Sequence, residues 1–243
     1  ATKLLTRLPA RSGTGTPIKK AIARDAAFGF YYPEDISAFK KSGAELIVMD
    51  TLNDRCFPDV DALFIGGGFP ETHLSALSGN SSLRTEIRLA IDAGLPVYAE
   101  CGGLMYLSRS IHWRGKTLDM VGAIPADTIM HEKPQGRGYV KLSETEHSPW
   151  GHKHSNTKLP EINAHEFHYS ALENLDPSLK FAYKVLRGTG VDGKNDGIIY
   201  KNVLACYSHF RSVQENQWVY RFVDFVRQKI DKTNQALNLK ASQ

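Results

Sequence analysis

Residues 96–107 read Pro96-Val97-Tyr98-Ala99-Glu100-Cys101-Gly102-Gly103-Leu104-Met105-Tyr106-Leu107. An apolar run predicts a strand, a helix-like run follows, and one cysteine stands at the corner between them. A strand-to-helix turn flanked by small residues is the geometry of a nucleophile elbow. Ala99 and Gly103, two positions to either side, leave room for a tight turn, and Gly102 offers an unobstructed backbone N–H. The positive end of the following helix faces the sulfur and favours thiolate, the reactive form. A free cysteine is more often a small buried hydrophobe. That reading suits Cys56 and Cys206, while the glycines reverse it for Cys101.

Working outward, the chain alternates strand and helix. Strands are predicted at Ala21-Ile22-Ala23, Glu45-Leu46-Ile47-Val48-Met49 and Asp61-Ala62-Leu63-Phe64-Ile65, the last ending in Gly66-Gly67-Gly68. Helices are predicted over 34–43 and 82–93, each closing on glycine. This alternation predicts an α/β fold, a mixed, largely parallel open sheet with helices on both faces. Ligands in such sheets bind beyond the strand carboxyl ends, where both glycine corners fall. Beyond residue 117 the pattern turns to short β-like runs (139–142, 181–185, 197–200, 203–207) and polar loops, the longest at 147–156. A last helix over 214–230 places Trp218, Phe222, Phe225 and Ile230 on one face as core. The expected boundaries are a linker over 1–19, one domain over 20–231 and a frayed tail over 232–243.

Composition narrows the class. At 42% hydrophobic residues, 243 residues can bury a substantial core. A formal charge of +4, scattered rather than clustered, argues against nucleic acid. No apolar run approaches the ~20 residues a bilayer span needs, and residues 1–10 lack a secretion signal's apolar core. Three unpaired cysteines suit a reducing, cytoplasmic setting. Ser12-Gly13-Thr14-Gly15-Thr16-Pro17 is not a phosphate loop, because Thr16-Pro17 stands where Lys-Ser/Thr is required.

An attacking thiolate needs a base and oxyanion donors. Gly66 to Gly68 can present backbone N–H groups beside the elbow, and with Gly102 they form an oxyanion hole; a plain turn is the bland alternative. His209 ends an apolar strand in Leu204-Ala205-Cys206-Tyr207-Ser208-His209-Phe210, where active-site residues lie. His165 and His168, in His165-Glu166-Phe167-His168-Tyr169-Ser170, would share a helix face, but no third ligand supports a metal site. His152 and His154 read as solvated.

These stretches, with Gly66-Gly67-Gly68-Phe69-Pro70-Glu71 and the run Ala23 to Pro33 (A-R-D-A-A-F-G-F-Y-Y-P), together resemble the glutamine amidotransferase domain of the cobyrinic acid a,c-diamide synthase family. The resemblance spans about residues 20–227. It implies a class I, triad-type amidotransferase fold, similar to flavodoxin, and glutamine hydrolysis through a cysteine thioester. It implies Cys101 as nucleophile, His209 as base, and Gly67, Gly68 and Gly102 at the oxyanion positions. Glu71 and Glu166 enter as candidates for substrate binding or for orienting His209. Arg137, in Gly136-Arg137-Gly138-Tyr139, can meet a carboxylate bidentately, although a surface arginine is the commoner role. The resemblance also implies a tetrapyrrole acceptor (cobyrinate, hydrogenobyrinate or siroheme) and an ATP-binding synthetase domain or subunit. ATP and Mg are expected there and no cofactor in this chain. Arg211 stands where class I triads often carry Glu, and the family's usual second His is absent too. Two rivals are a peptidase- or deglycase-like cysteine enzyme and a non-catalytic binding module on the same fold.

Overall fold

Two strands buried along their whole length, Ala62–Ile65 and Val97–Glu100, read as near-continuous apolar runs because both faces of their sheet are covered. The structure, a computed structural model, describes residues 17–150, 161–213 and 216–241. In chain order, its first part is β1 (Ile18–Ala23), β2 (Phe28–Phe30), α1 (Pro33–Lys41), β3 (Ala44–Met49), β4 (Ala62–Ile65), β5 (Gly67–Gly68), α2 (Leu74–Gly79), α3 (Ser81–Asp92), β6 (Val97–Glu100) and α4 (Gly102–Leu107). Then come β7 (Ser110–Trp113), β8 (Lys116–Asp119), β9 (Asp127–Met130), β10 (Gly136–Glu144), β11 (Glu161–His168), β12 (Ser170–Glu173), β13 (Lys180–Arg187), β14 (Asn195–Tyr200), β15 (Val203–Cys206) and α5 (Trp218–Ala241).

Among the described residues, a nine-stranded sheet has the order β11-β10-β13-β14-β15-β6-β4-β1-β3. The run β3-β1-β4-β6-β15 is parallel, and β14, β13, β10 and β11 continue it antiparallel. A four-stranded sheet (β12-β9-β7-β8) and the β2-β5 ribbon stand beside it.

Helices cover both faces. Leu83, Ile87 and Ile91 of α3, spaced by one helical turn, pack on one side with Leu104 of α4. Trp218, Phe222 and Val226 of α5 pack on the other with Phe39 of α1. The sheet class is therefore as expected.

Two expectations change. The terminal helix does not stop at Ile230 but runs to Ala241, which corrects the frayed-tail reading over 232–241. No Gly or Pro interrupts 218–241, so the helix continues where its apolar periodicity fades. β1 begins at Ile18, inside the expected linker, and the linker's residues 1–16 lie outside the described residues, as do residues 151–160, which take in 151–156 of the long loop with His152 and His154.

Candidate active site

Glu100 closes β6, level with Cys206 on the neighbouring strand. The next residue turns sharply. Cys101 takes φ +47° and ψ −101°, a conformation costing a side-chain-bearing residue on the order of 1–3 kcal/mol. Packing holds it there: the Cys101 N–H donates to Cys206 O at 2.7 Å, and Cys101 O accepts the Met105 N–H as α4 begins. Its Sγ lies 3.8 Å from the Phe167 carbonyl oxygen, on the His-Glu-Phe-His strand β11.

The second glycine corner is braced by the Ala23-to-Pro33 run. Asp25 Oδ1 accepts the N–H groups of Ala27 and Phe28 at 2.7 and 3.0 Å, and this turn directs β2 onto β5, pairing Phe28 with Gly68 and Phe30 with Gly67. The Tyr31 hydroxyl donates to Ala23 O and accepts the Gly66 N–H. The two corners then meet backbone to backbone: a Cβ on Gly102 would lie 2.9 Å from both N and O of Gly68. A Cβ on Gly67 would lie 2.6 Å from Cε1 of His209.

His209 follows β15 and bridges to β11. Its N–H donates to His165 O at 2.7 Å, and the His165 N–H returns to His209 O at 3.2 Å. Its ring is nearly enclosed, edge-on to Phe30 at 5.1 Å between centroids. His209 Nδ1 lies 3.3 Å from Glu100 Oε2. Burial disfavours the imidazolium, yet hydrogen bonds with Cys101 and Glu100 outweigh it and raise the His209 pKa from 6.5 to about 10.

The structure thus brings Cys101, His209, Gly67, Gly68 and Gly102 together. Glu166 is corrected as an orienter of His209. Its Oε1 and Oε2 accept the N–H groups of Thr189 and Gly190 at 2.7 and 2.8 Å, and it faces His168 Nε2 at 3.7 Å. Burial opposes its charge, but His168 and those donors hold its carboxyl below the usual range. Glu71 occupies a short 3-10 turn just past the glycine corner, with burial raising its pKa. Arg137 is exposed on β10, in register with Phe167.

His165 and His168 lie on a strand, not a helix. Three residues apart on a strand, they face opposite ways: His165 toward His209, and His168 stacked on Tyr207 at 3.9 Å. Among the described residues no group of three or more His, Cys, Asp or Glu is placed to hold a metal. Cys206 is buried as expected, whereas Cys56 is exposed. Arg211 points outward to Glu34, so the residue two past the base contributes nothing to the ring.

Reading the residues missed Glu100. Its signal was present: an acid closing an otherwise apolar strand, directly before the cysteine, must be buried and therefore hydrogen-bonded.

A family model described as the CobB/CobQ-like glutamine amidotransferase domain matches residues 19–217. The chain belongs to that family. It is 42% identical over 215 residues to the cobyrinate a,c-diamide synthase of Magnetococcus marinus, covering 88% of this chain and 45% of that protein. It is also 42% identical over 206 residues to the cobyrinate a,c-diamide synthase of Archaeoglobus fulgidus, covering 85% and 43%. The amidotransferase domain thus spans somewhat under half the length of these curated relatives. Its fold resembles the structure of PurLQS from Thermotoga maritima (TM-score 0.64, 15% identity, 88% of this chain and 99% of that one). A glutamine amidotransferase of Thermotoga maritima shares it too (TM-score 0.54, 11% identity, 90% and 93%). Among the described residues no helix is long and apolar enough to cross a membrane.

Proposed function

We propose that this domain is the glutaminase half of an ATP-dependent amidoligase that amidates side-chain carboxylates of a tetrapyrrole, as in cobyrinate a,c-diamide formation. One observation carries the reading: Cys101 is held in a strained turn between a base and two glycine corners. A non-catalytic module has no use for that strain.

The geometry supports the following chemistry. Cys101 thiolate attacks the glutamine side-chain carbonyl carbon, forming the C–S bond. Backbone N–H groups of Gly67, Gly68 and Gly102 take the developing oxyanion. His209 gives its proton to the departing nitrogen, so the C–N bond breaks and ammonia leaves. His209 then takes a proton from water, which attacks the thioester and frees glutamate. Arg137 and Glu71 are the charged candidates for the zwitterionic end of glutamine, one for its carboxylate and one for its ammonium. Ammonia passes to a synthetase domain or subunit outside this sequence, where ATP and Mg activate the acceptor carboxylate. Free thiols at Cys56, Cys101 and Cys206 suit a cytoplasmic setting.

Glutamate release from glutamine by the chain, beside Cys101→Ala, tests the reading. Release that survives the substitution overturns it. Supplying a synthetase half, ATP and either cobyrinate or siroheme then identifies the acceptor.

A further inference from the structure

We infer that Glu100, the residue directly before the nucleophile, is the positioning acid of this site and completes a Cys101–His209–Glu100 triad. The inference rests on reading Cys101 and His209 as nucleophile and base.

Glu100 is 2% exposed, and each oxygen has a different task. Oε1 accepts two hydrogen bonds, from the Tyr98 hydroxyl at 2.7 Å and the Phe210 N–H at 2.9 Å. Oε2 is left for His209 Nδ1 at 3.3 Å. The carboxylate therefore grips the base twice, through its ring and through the peptide that follows it. An Nδ1–H donated to Oε2 leaves Nε2 as the nitrogen that exchanges a proton with Cys101. That is the work of the acid in a nucleophile–base–acid triad. The acid comes from the nucleophile's own strand, not from the segment after the base, where Arg211 turns away to Glu34. Asp35 of α1 and Lys20 of β1 interact electrostatically with Glu100 from other elements, and Tyr31, Tyr32 and Cys206 also feel its charge.

The two jobs of the carboxylate give Glu100→Gln a distinctive consequence. The amide oxygen must stay with the two donors, Tyr98 and Phe210. The amide NH₂ then faces His209 Nδ1, which has to accept. The proton moves to Nε2, and the ring can no longer take one from the thiol.

The experiment is an isotope-resolved NMR titration of His209 in the whole chain, with steady-state glutamine hydrolysis, for wild type, Glu100→Gln and Glu100→Asp. The expected result for Glu100→Gln is a switch of the neutral ring to the Nε2–H tautomer, with a titration midpoint at least about two units below wild type. Its kcat should fall by about 10²–10⁴-fold, with KM within about threefold. Glu100→Asp should keep the wild-type tautomer and recover at least about tenfold of the lost kcat. An unmoved midpoint and tautomer, or an unchanged kcat, in folded Glu100→Gln overturns the inference. If that variant does not fold, wild type decides alone: an exchange-protected, downfield Nδ1–H of His209 supports the inference, and its absence overturns it. Wild type that hydrolyses no glutamine defeats the glutaminase reading instead, and the His209 titration still judges Glu100.

Discussion

Asp196 holds Ser208 by its peptide: Oδ2 accepts the Ser208 N–H at 3.0 Å while Oδ1 accepts the Tyr207 N–H, also at 3.0 Å. Asp196 is fully buried, and the residue its grip delivers is His209. In Asp196→Asn one acceptor becomes a donor that confronts an N–H, leaving a buried group unpaired at a cost of about 1–3 kcal/mol. A melting temperature lowered by several degrees is expected, with a larger fall in kcat for glutamine than rise in KM. Thermal melts and steady-state kinetics of the variant check both.

Lys20 is a different kind of buried charge. It sits in β1 at 1% exposure, its Nζ 3.1 Å from the Phe39 ring centroid and 4.4 Å from that of Phe222, with no hydrogen-bond partner for Nζ among the described residues. Burial lowers its pKa well below 10.5. The folded chain therefore refuses a proton that the unfolded chain binds. Stability contributed at this site is present above the unfolded pKa and lost as pH falls through the folded one. Lys20→Met removes the buried amine and keeps an unbranched apolar stem, so it should stabilise the fold at neutral pH by about 1–3 kcal/mol, less the attraction to Asp35 and Glu100 and to the aromatic rings that is lost. The gain should shrink as pH approaches 10. Denaturant midpoints across that pH range decide it.

Much of this was legible in residues, and the rest failed for physical reasons. The parallel strands around Ala62–Ile65 and Val97–Glu100 were readable because doubly buried strands are apolar throughout. The elbow at Cys101 and the Gly66–Gly68 corner were readable because close backbone approach demands glycine. The antiparallel half was read only in fragments, since strands such as Glu161–His168 carry alternating polar residues and a histidine pair that also fits a helical spacing. Glu166 looked like the orienter because its motif is polar, yet loop 189–190, distant in sequence, claims its oxygens. Glu100 was hidden by its position: a residue beside a nucleophile is easily taken for part of the strand. Only the fold shows that His209 comes back to it.

The contact between the glycine corners makes a sharp steric prediction. A methyl at residue 102 would press on the backbone N and O of Gly68, neither of which can rotate away. Gly102→Ala should therefore displace the oxyanion loop, lower kcat by about 10²–10³-fold and leave the rest of the fold in place. An alanine at Gly79, which has nothing within reach of its Cβ, is the control and should hydrolyse glutamine normally. Equal activity in the two variants would remove Gly102 and Gly68 from the oxyanion hole.

Asp35 supplies the last test, because its charge state bears on the same segment from the other side. Its Oδ1 accepts the Ser212 N–H at 2.6 Å, three residues past the base. Burial, and after it the neighbouring Glu100 carboxylate, raise its pKa from 3.8 to about 7. A carboxyl whose folded pKa lies above the unfolded value contributes stability that is fully present below the unfolded pKa and is lost as pH rises through the folded one. The window therefore runs from about pH 4 to about pH 7, and above it the fold carries a buried anion facing a second one. Asp35→Asn keeps an oxygen for Ser212 and never ionises. The variant should match wild type near pH 4, then become progressively more stable relative to it up to about pH 7, and hold that advantage beyond. Melting curves of the two proteins at intervals from pH 4 to pH 9 measure the difference. A constant offset across the range would mean that Asp35 does not titrate within the folded protein.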